Sequence, residues 1–423
     1  MRWVVFVGLA LGGCAGEARP GAGADSAVEV GAGDGGASHG DATHGDAEGA
    51  DAGMPFDWCV PDVPPDDACH AAKRDPASER VALATEIAAK QMALHPAESL
   101  GWDWGEAVLL WSFVELHAVT GDPAIQDYVK AYMDAHIAHG FTISTSDSCA
   151  PAALAAALYR QSPDDSYEAV VDKALTYLSE LALRTDAGAI SHFGTIPVVS
   201  VWVDSLFMFG NVWMAWWGAT GDVASLDALG EQIRVFSALL QDDGFFRHAW
   251  GWPDESPTPA YWARGNGWVV AAEAQYLRAR RIRGESDATV AESLGRLLAA
   301  VGDAQGDESG LWWTLLDHPG DAYEETSASA LFAYGMARAW RSGLAGDEVL
   351  PRVVRAMVGV QSRITRDGAG LPVVTGISGP TTAGFNEQYA KVPLVDDISY
   401  GVGAVILALV ETSGLPESGG DHE

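Results

Sequence analysis

"SLFMFGNVWMAWWGATGDVASLDALGEQIRVF", residues 205–236, holds two helices of opposite character joined by a polar turn. The first half is apolar almost all the way round, and a helix without a polar stripe belongs in an interior. The second half spaces its apolar residues three and four apart, the mark of a helix with one face buried and one wet. Inner helix, turn, outer helix is therefore the unit to look for elsewhere in the chain.

The unit recurs. Polar turns followed by amphipathic helices begin at Thr120 ("TGDPAIQDYVKAYMDAH"), Gln161 ("QSPDDSYEAVVDKALTYL"), Arg283 ("RGESDATVAESLGRLLAAV") and Gly343 ("GLAGDEVLPRVVRAMVGV"). Ahead of them lie Ala- and Gly-rich apolar helices, "EAVLLWSFVELHAV", "APAALAAALYR", "GWVVAAEAQYLRA" and "SASALFAYGMARAW", and the series ends on "YGVGAVILALVET". With a first outer helix at "SERVALATEIAAKQMAL", about twelve helices alternate, with short turns in one direction and longer loops in the other. That pattern predicts an all-α (α/α)6 barrel over residues 77–412, with an open helical solenoid as the alternative. In a closed ring the long loops lead into the amino ends of the inner helices, so those ends share one mouth. Exposed amide donors and the helix dipole make such a mouth suited to an anion.

The 423 residues carry a formal net charge of −33 and a sequence pI near 4.4. No basic groove is available to neutralise nucleic-acid phosphates, and adsorption to an anionic membrane surface is disfavoured. An acidic surface of this kind accounts for solubility without any partner. The opening "MRWVVFVGLALGGC" has one cation, a short apolar run and small residues before Cys14, which reads as a signal peptide ending in a lipobox. The expectation is an exported bacterial protein of the cell envelope or periplasm, tied to the membrane only through a lipid on Cys14. Residues 15–55 are mostly Gly, Ala and Asp and are expected to form a disordered tether, in which His39 and His44 lack any scaffold for a metal. Residues 56–76 form a lead-in where Cys59 and Cys69 are expected to pair, and 413–423 read as a flexible tail. Cys149 reads as a buried small residue, and no spaced His/Cys cluster suggests a metal or other cofactor.

The inner-helix starts and the loops before them concentrate chemistry. They hold Trp102, Asp103 and Trp104; Asp147; Asp204; Trp262, Arg264, Asn266 and Trp268; Glu324, Glu325, Thr326 and Ser327; and Asp396, Asp397, Ser399 and Tyr400, with His192 and His248 ahead of two of them. Aromatic rings beside carboxylates, histidines and an arginine suit a sugar, which has an apolar face and a rim of hydroxyls. An aspartate before a helix is often only a cap. Asp204 is the least cap-like, because Phe207 stands where a capping box needs Glu or Gln and the apolar "VWV" precedes it. A carboxyl among Trp202, Phe207 and their neighbours is expected to be held partly protonated by desolvation.

"VWVDSLFM", "YWARGNGW", "YEETSASALFAYGMARA" and "SDSCAPAALAAAL", with "AISHFG" and "FFRHAW" between, resemble the unsaturated uronyl hydrolases of glycoside hydrolase families 88 and 105, the rhamnogalacturonyl enzymes above all. The resemblance implies an (α/α)6 enzyme that removes a 4,5-unsaturated uronic acid from the non-reducing end of lyase-generated oligosaccharides by hydrating the double bond, without metal or covalent intermediate. It implies Asp204 as the general acid/base, and Asp147, His192, His248, Trp262, Arg264 and Trp268 as substrate contacts, with Arg264 meeting the substrate carboxylate. "DSCAPA" departs from the family, which often has glycine soon after that second aspartate. The competing readings are an inverting glycosidase using Asp147 and Asp204, and a surface lipoprotein that captures oligosaccharides without turnover.

Overall fold

Two inner helices end on a glycine and four outer helices begin on a capping aspartate, and these residues shape the short turns. In the computed structural model, which describes residues 74–194, 198–252 and 254–415, Gly121 and Gly221 sit at left-handed φ of 67° and 76°, a conformation that costs glycine nothing. Asp122 and Asp222 follow, and their carboxylates accept the N–H groups of Ala124 and of Ala224 and Ser225. Asp164 and Asp287 cap two further outer helices in the same way.

Twelve long helices alternate among the described residues. The outer ones are α1 (Glu79–Leu94), α3 (Pro123–His139), α5 (Asp165–Thr176), α7 (Val223–Leu240), α9 (Ala288–Asp303) and α11 (Leu350–Ser362). The inner ones are α2 (Trp104–Thr120), α4 (Ala152–Gln161), α6 (Ser205–Thr220), α8 (Ala263–Ile282), α10 (Thr326–Arg341) and α12 (Ser399–Glu411). Each inner helix packs on the next, and α12 packs back on α2, so the ring is closed and the open solenoid is ruled out. Small residues allow the close approach: a Cβ at Gly403 of α12 would lie 2.8 Å from the Val108 carbonyl oxygen of α2.

At the carboxyl ends of the inner helices, two glutamates occupy the wrong end of the helix dipole. Glu115 of α2 and Glu411 of α12 are both buried, and arginines surround them. Arg338 of α10 reaches Glu411 at 2.7 Å and Glu115 at 3.2 Å, Arg74 binds both, and Arg341 lies 3.5 Å from Glu411. Burial pushes the Glu411 carboxyl up, but Arg338, Arg74 and Arg341 outweigh it and hold it down at about 2. A carboxylate held this low contributes stability above the ordinary carboxylate range and loses it as pH falls toward 2.

The lead-in and tail boundaries shift accordingly. Arg74 is part of the core network, and Ser413 and Leu415 are buried, with Ser413 Oγ accepting the Asp75 N–H at 3.2 Å, so the chain stays packed through 415 instead of loosening at 413. Cys14, the 15–55 tether, the Cys59–Cys69 pair and residues 416–423 lie outside the described residues. No helix among those described is long and apolar enough to cross a membrane.

Removing one member of a buried ion cluster strands its partners. Glu411→Gln is expected to cost about 3–5 kcal/mol in chemical denaturation, and to flatten the loss of stability on acidification. A loss no larger than that of a surface substitution would show that the network does not hold the ring.

Candidate active site

At the opposite, amino-terminal ends of the inner helices, Asp204 stands at the N-cap position of α6 but does not cap it. Its backbone is already helical and its side chain takes no N–H from the first turn. The chain reaches it through a two-residue strand, β1 (Val201–Trp202), which pairs antiparallel with Ala249–Trp250. That pairing brings in His248: Val203 N–H donates to the His248 carbonyl at 3.0 Å, and His248 N–H to Ala260 O at 3.0 Å. The His248 ring is completely buried, and its Nε2 faces Asp204 Oδ2 at 3.7 Å.

Asp147 is the second carboxyl. It lies in a single turn, Ser146–Cys149, whose cap is Thr145, with Oγ1 accepting the Ser148 N–H, so Asp147 is also free of capping duty. Trp102 Nε1 holds this turn through the Ser148 carbonyl at 2.9 Å. The turn carrying His192 docks on it, with Ser146 N–H donating to His192 O at 3.2 Å, and His192 Nε2 faces Asp147 Oδ2 at 3.7 Å. The residues flanking the two aspartates touch, since Ser205 Oγ donates to Ser146 Oγ at 2.9 Å. The two carboxyl groups are thereby brought into one another's field. Both open to the mouth, with 28% of the Asp147 side chain exposed and 14% of that of Asp204.

Their electrostatics diverge. Burial, the Asp204 charge and the Asp103 charge all push the Asp147 carboxyl well above the ordinary range. Burial also pushes Asp204 up, but the His248 and His192 imidazoles outweigh it, and the net direction is down. The expectation that desolvation keeps Asp204 protonated is thus reversed, because aromatic surroundings were weighed without the histidine that β1 pairing delivers. Burial holds His192 down at about 4, so its ring is neutral at ordinary pH.

A continuous, largely buried stack of rings runs behind one side of the mouth. Trp104 lies on Tyr400 at 4.5 Å; the Arg264 guanidinium sits 4.8 Å from Tyr400 and 4.6 Å from Trp262; Trp262 lies 4.2 Å from His248. Trp202 then meets His248 edge-on at 5.2 Å and stacks flat on His192 at 4.4 Å.

Two expected contacts are engaged elsewhere. Helix α8 begins at Ala263, one residue after Trp262, so Arg264 and Trp268, four residues apart, share a face that turns into the ring. Trp268 is fully buried against Phe207, with ring centroids 4.6 Å apart, and shows no face to the mouth. Arg264 is equally buried, donating to the carbonyls of Ser378 at 2.8 Å and Gly379 at 3.0 Å and lying 3.8 Å from Glu325. Its charge is committed to the final loop, not presented to a ligand carboxylate. Asn266 grips both the N–H and C=O of Phe246, and Glu325 caps α10 through the amides of Ser327 and Ala328. Asp103 caps α2, and Asp397 pairs with Lys90 of an outer helix at 2.6 Å.

Sequence reasoning passed over Ser146, Ser205 and Tyr389. The serines adjoin the two aspartates and were open to notice as neighbours. Tyr389, whose hydroxyl meets His248 Nδ1 at 2.7 Å, is a lone ring in the polar loop "NEQYA" and gives no signal. Among the described residues no group of three His, Cys, Asp or Glu is arranged to hold a metal ion.

A family model for Glycosyl Hydrolase Family 88 matches residues 79–415, the entire ring. The chain belongs to that family. As a family 88 protein it is a glycoside hydrolase, and its relatives agree. YesR of Bacillus subtilis strain 168, named an unsaturated rhamnogalacturonyl hydrolase, is 26% identical over 324 residues, covering 73% of this chain and 89% of that protein. The structure of a possible family 105 member from Klebsiella pneumoniae superposes with a TM-score of 0.71 at 24% identity, over 80% of this chain and 94% of that one. The unsaturated glucuronyl hydrolase of Bacillus sp. GL1 superposes with a TM-score of 0.60 at 18% identity, over 81% and 99%. The two structural likenesses show the (α/α)6 fold.

In this glycoside hydrolase the Asp204 charge is among the influences that push the Asp147 carboxyl up. With Asp204→Asn a neighbouring negative charge disappears, so the Asp147 carboxyl is expected to titrate at lower pH than in the wild type, still above an ordinary aspartate because burial persists. Carboxyl 13C NMR reads the midpoint, and an unchanged value would mean that the two groups do not interact.

Proposed function

We propose that the protein removes a 4,5-unsaturated uronic acid from the non-reducing end of oligosaccharides left by polysaccharide lyases, by hydrating the C4=C5 double bond. The observation that carries the reading is the carboxyl pair, joined through Ser146 and Ser205 and pushed in opposite directions, Asp147 up by burial and the Asp204 charge, Asp204 down by the His248 contact. Hydration of a vinyl ether needs one proton given and one taken. Asp147 gives its proton to C4, and positive charge grows at C5 and the ring oxygen. Water adds to C5 while the Asp204 carboxylate takes the proton that the water sheds. The hemiketal so formed opens, the former ring oxygen becomes the C1 aldehyde oxygen, and the next sugar leaves with its glycosidic oxygen. One proton returns from Asp204 to Asp147, and the pair is reset.

This assignment moves the proton donor from Asp204 to Asp147 and keeps both residues in the chemistry. His192 and His248 face the carboxyls, and Trp262 backs His248. Arg264 and Trp268 support the wall from behind. The substrate carboxylate is met by the amide donors and dipoles of the converging helix ends. The names of the relatives, a rhamnogalacturonyl and a glucuronyl hydrolase of unsaturated substrates, support the substrate class. Export with a lipid on Cys14 belongs to the same reading, supported by the apolar opening and the "LGGC" that closes it.

A lyase-generated unsaturated disaccharide should lose its ultraviolet absorbance with the protein, and the saturated disaccharide should survive. Asp147→Asn and Asp204→Asn should each lower kcat by about 10²–10⁴-fold while still binding. Cleavage of the saturated sugar would point to an inverting glycosidase instead, and binding without turnover to a capture protein.

A further inference from the structure

Each carboxyl of the pair faces the Nε2 of a histidine at 3.7 Å, and each of those histidines meets a hydroxyl at its other nitrogen. On the Asp204 side, the Tyr389 hydroxyl lies 2.7 Å from His248 Nδ1 and accepts the Gly384 N–H at 3.2 Å. With the Gly384 N–H on its oxygen, the phenol has its single hydrogen free to aim at Nδ1. The ring hydrogen of His248 is then left on Nε2, toward Asp204 Oδ2. On the Asp147 side the sequence of donors is longer. Ser205 Oγ donates to Ser146 Oγ at 2.9 Å, and both hydroxyls lie within reach of His192 Nδ1, Ser146 Oγ at 2.9 Å and Ser205 Oγ at 3.2 Å. With the hydrogen of Ser146 aimed at Nδ1, the ring hydrogen of His192 is left on Nε2, toward Asp147.

We propose that Tyr389, and in parallel the Ser205–Ser146 pair, are positioning residues that lock both histidines as Nε2–H tautomers, so that each ring presents a donor to its carboxyl group. His248 is completely buried between Trp202 and Trp262, so bulk water cannot substitute for the phenol. Tyr389 itself is buried, and its turn, Asn386–Tyr389, belongs to the last loop of the mouth, the loop whose Ser378 and Gly379 carbonyls Arg264 grips. The loop is thus anchored to the wall at two points, and one of them sets the chemistry of a histidine. A histidine in the opposite tautomer would aim a lone pair at the Asp204 carboxylate and disfavour its ionised form.

The consequence rests on the function proposed above, in which Asp204 must be ionised to take a proton from water. The groups that face Asp204 are His248, His192 on its turn, Asp147 on the opposite turn and Tyr389 on the last loop. Of these, Tyr389 is the one whose hydroxyl can be deleted without removing a charge.

Nitrogen-15 histidine labelling of the full chain, with His248 assigned by the peak lost in His248→Gln, reads the tautomers directly. The wild type should show Nε2–H for both His248 and His192. In Tyr389→Phe, His248 alone should populate Nδ1–H, kcat should fall at least about tenfold because a mis-tautomerised catalytic histidine is costly, and the acid limb of kcat/KM should move to higher pH with KM little changed. The double substitution Ser146→Ala and Ser205→Ala should shift His192 alone. A wild-type His248 carrying its hydrogen on Nδ1, or a Tyr389→Phe protein with the tautomer and acid limb of the wild type, overturns the proposal. Should Tyr389→Phe fail to fold, the wild-type spectrum and the double serine variant still decide. Tautomers as proposed together with full turnover by Asp204→Asn would uphold this inference and overturn the functional reading instead.

Discussion

Two carboxyl groups set at one narrow mouth cannot both be ionised at low cost, and the arrangement of the mouth follows from that constraint. The protein resolves it asymmetrically. The contact with His248 holds the Asp204 carboxyl down against its burial, while burial and the Asp204 charge push the Asp147 carboxyl up. The same contact that brings the groups together, between Ser146 and Ser205, also belongs to the hydroxyl relay behind His192. The proposed hydration, which gives one proton and takes another, is served by such a division.

The ring supplies the constraint. Short turns, two of them a glycine followed by a capping aspartate, lead into the outer helices cheaply, and the long connections are left for the mouth, where they carry His192, His248 and Tyr389. The two ends of the inner helices use charge in opposite ways. At the carboxyl ends Glu115 and Glu411 are saturated by arginines and tie α2, α10 and α12 together. At the amino ends Asp147 and Asp204 face histidines and no arginine or lysine ion pair. Arg264 stands in the wall behind them, and the last loop has claimed it.

Much of this was legible in the sequence because helical burial is written in period. The apolar "SLFMFGNVWMAWW" and the striped helix after it could be assigned to the two layers from spacing alone. Closure of the ring was not, since an open solenoid has the same period; it depends on contacts such as Gly403 against Val108, three hundred residues apart in order of magnitude. Asp204 stood out as a poor cap, and it is one. Its charge state did not, because His248 reaches it through a strand pairing only two residues long. Arg264 and Trp268 were placed at the mouth because α8 was expected to start later than Ala263, and an earlier start rotates both into the core. Tyr389 had no pattern to betray it.

Neutron diffraction from crystals of the unliganded protein near neutral pH would locate the disputed hydrogen itself. The account predicts deuterium on the Asp147 carboxyl and none on Asp204. Deuterium on Asp204 with Asp147 bare, or on both carboxyls, would contradict it.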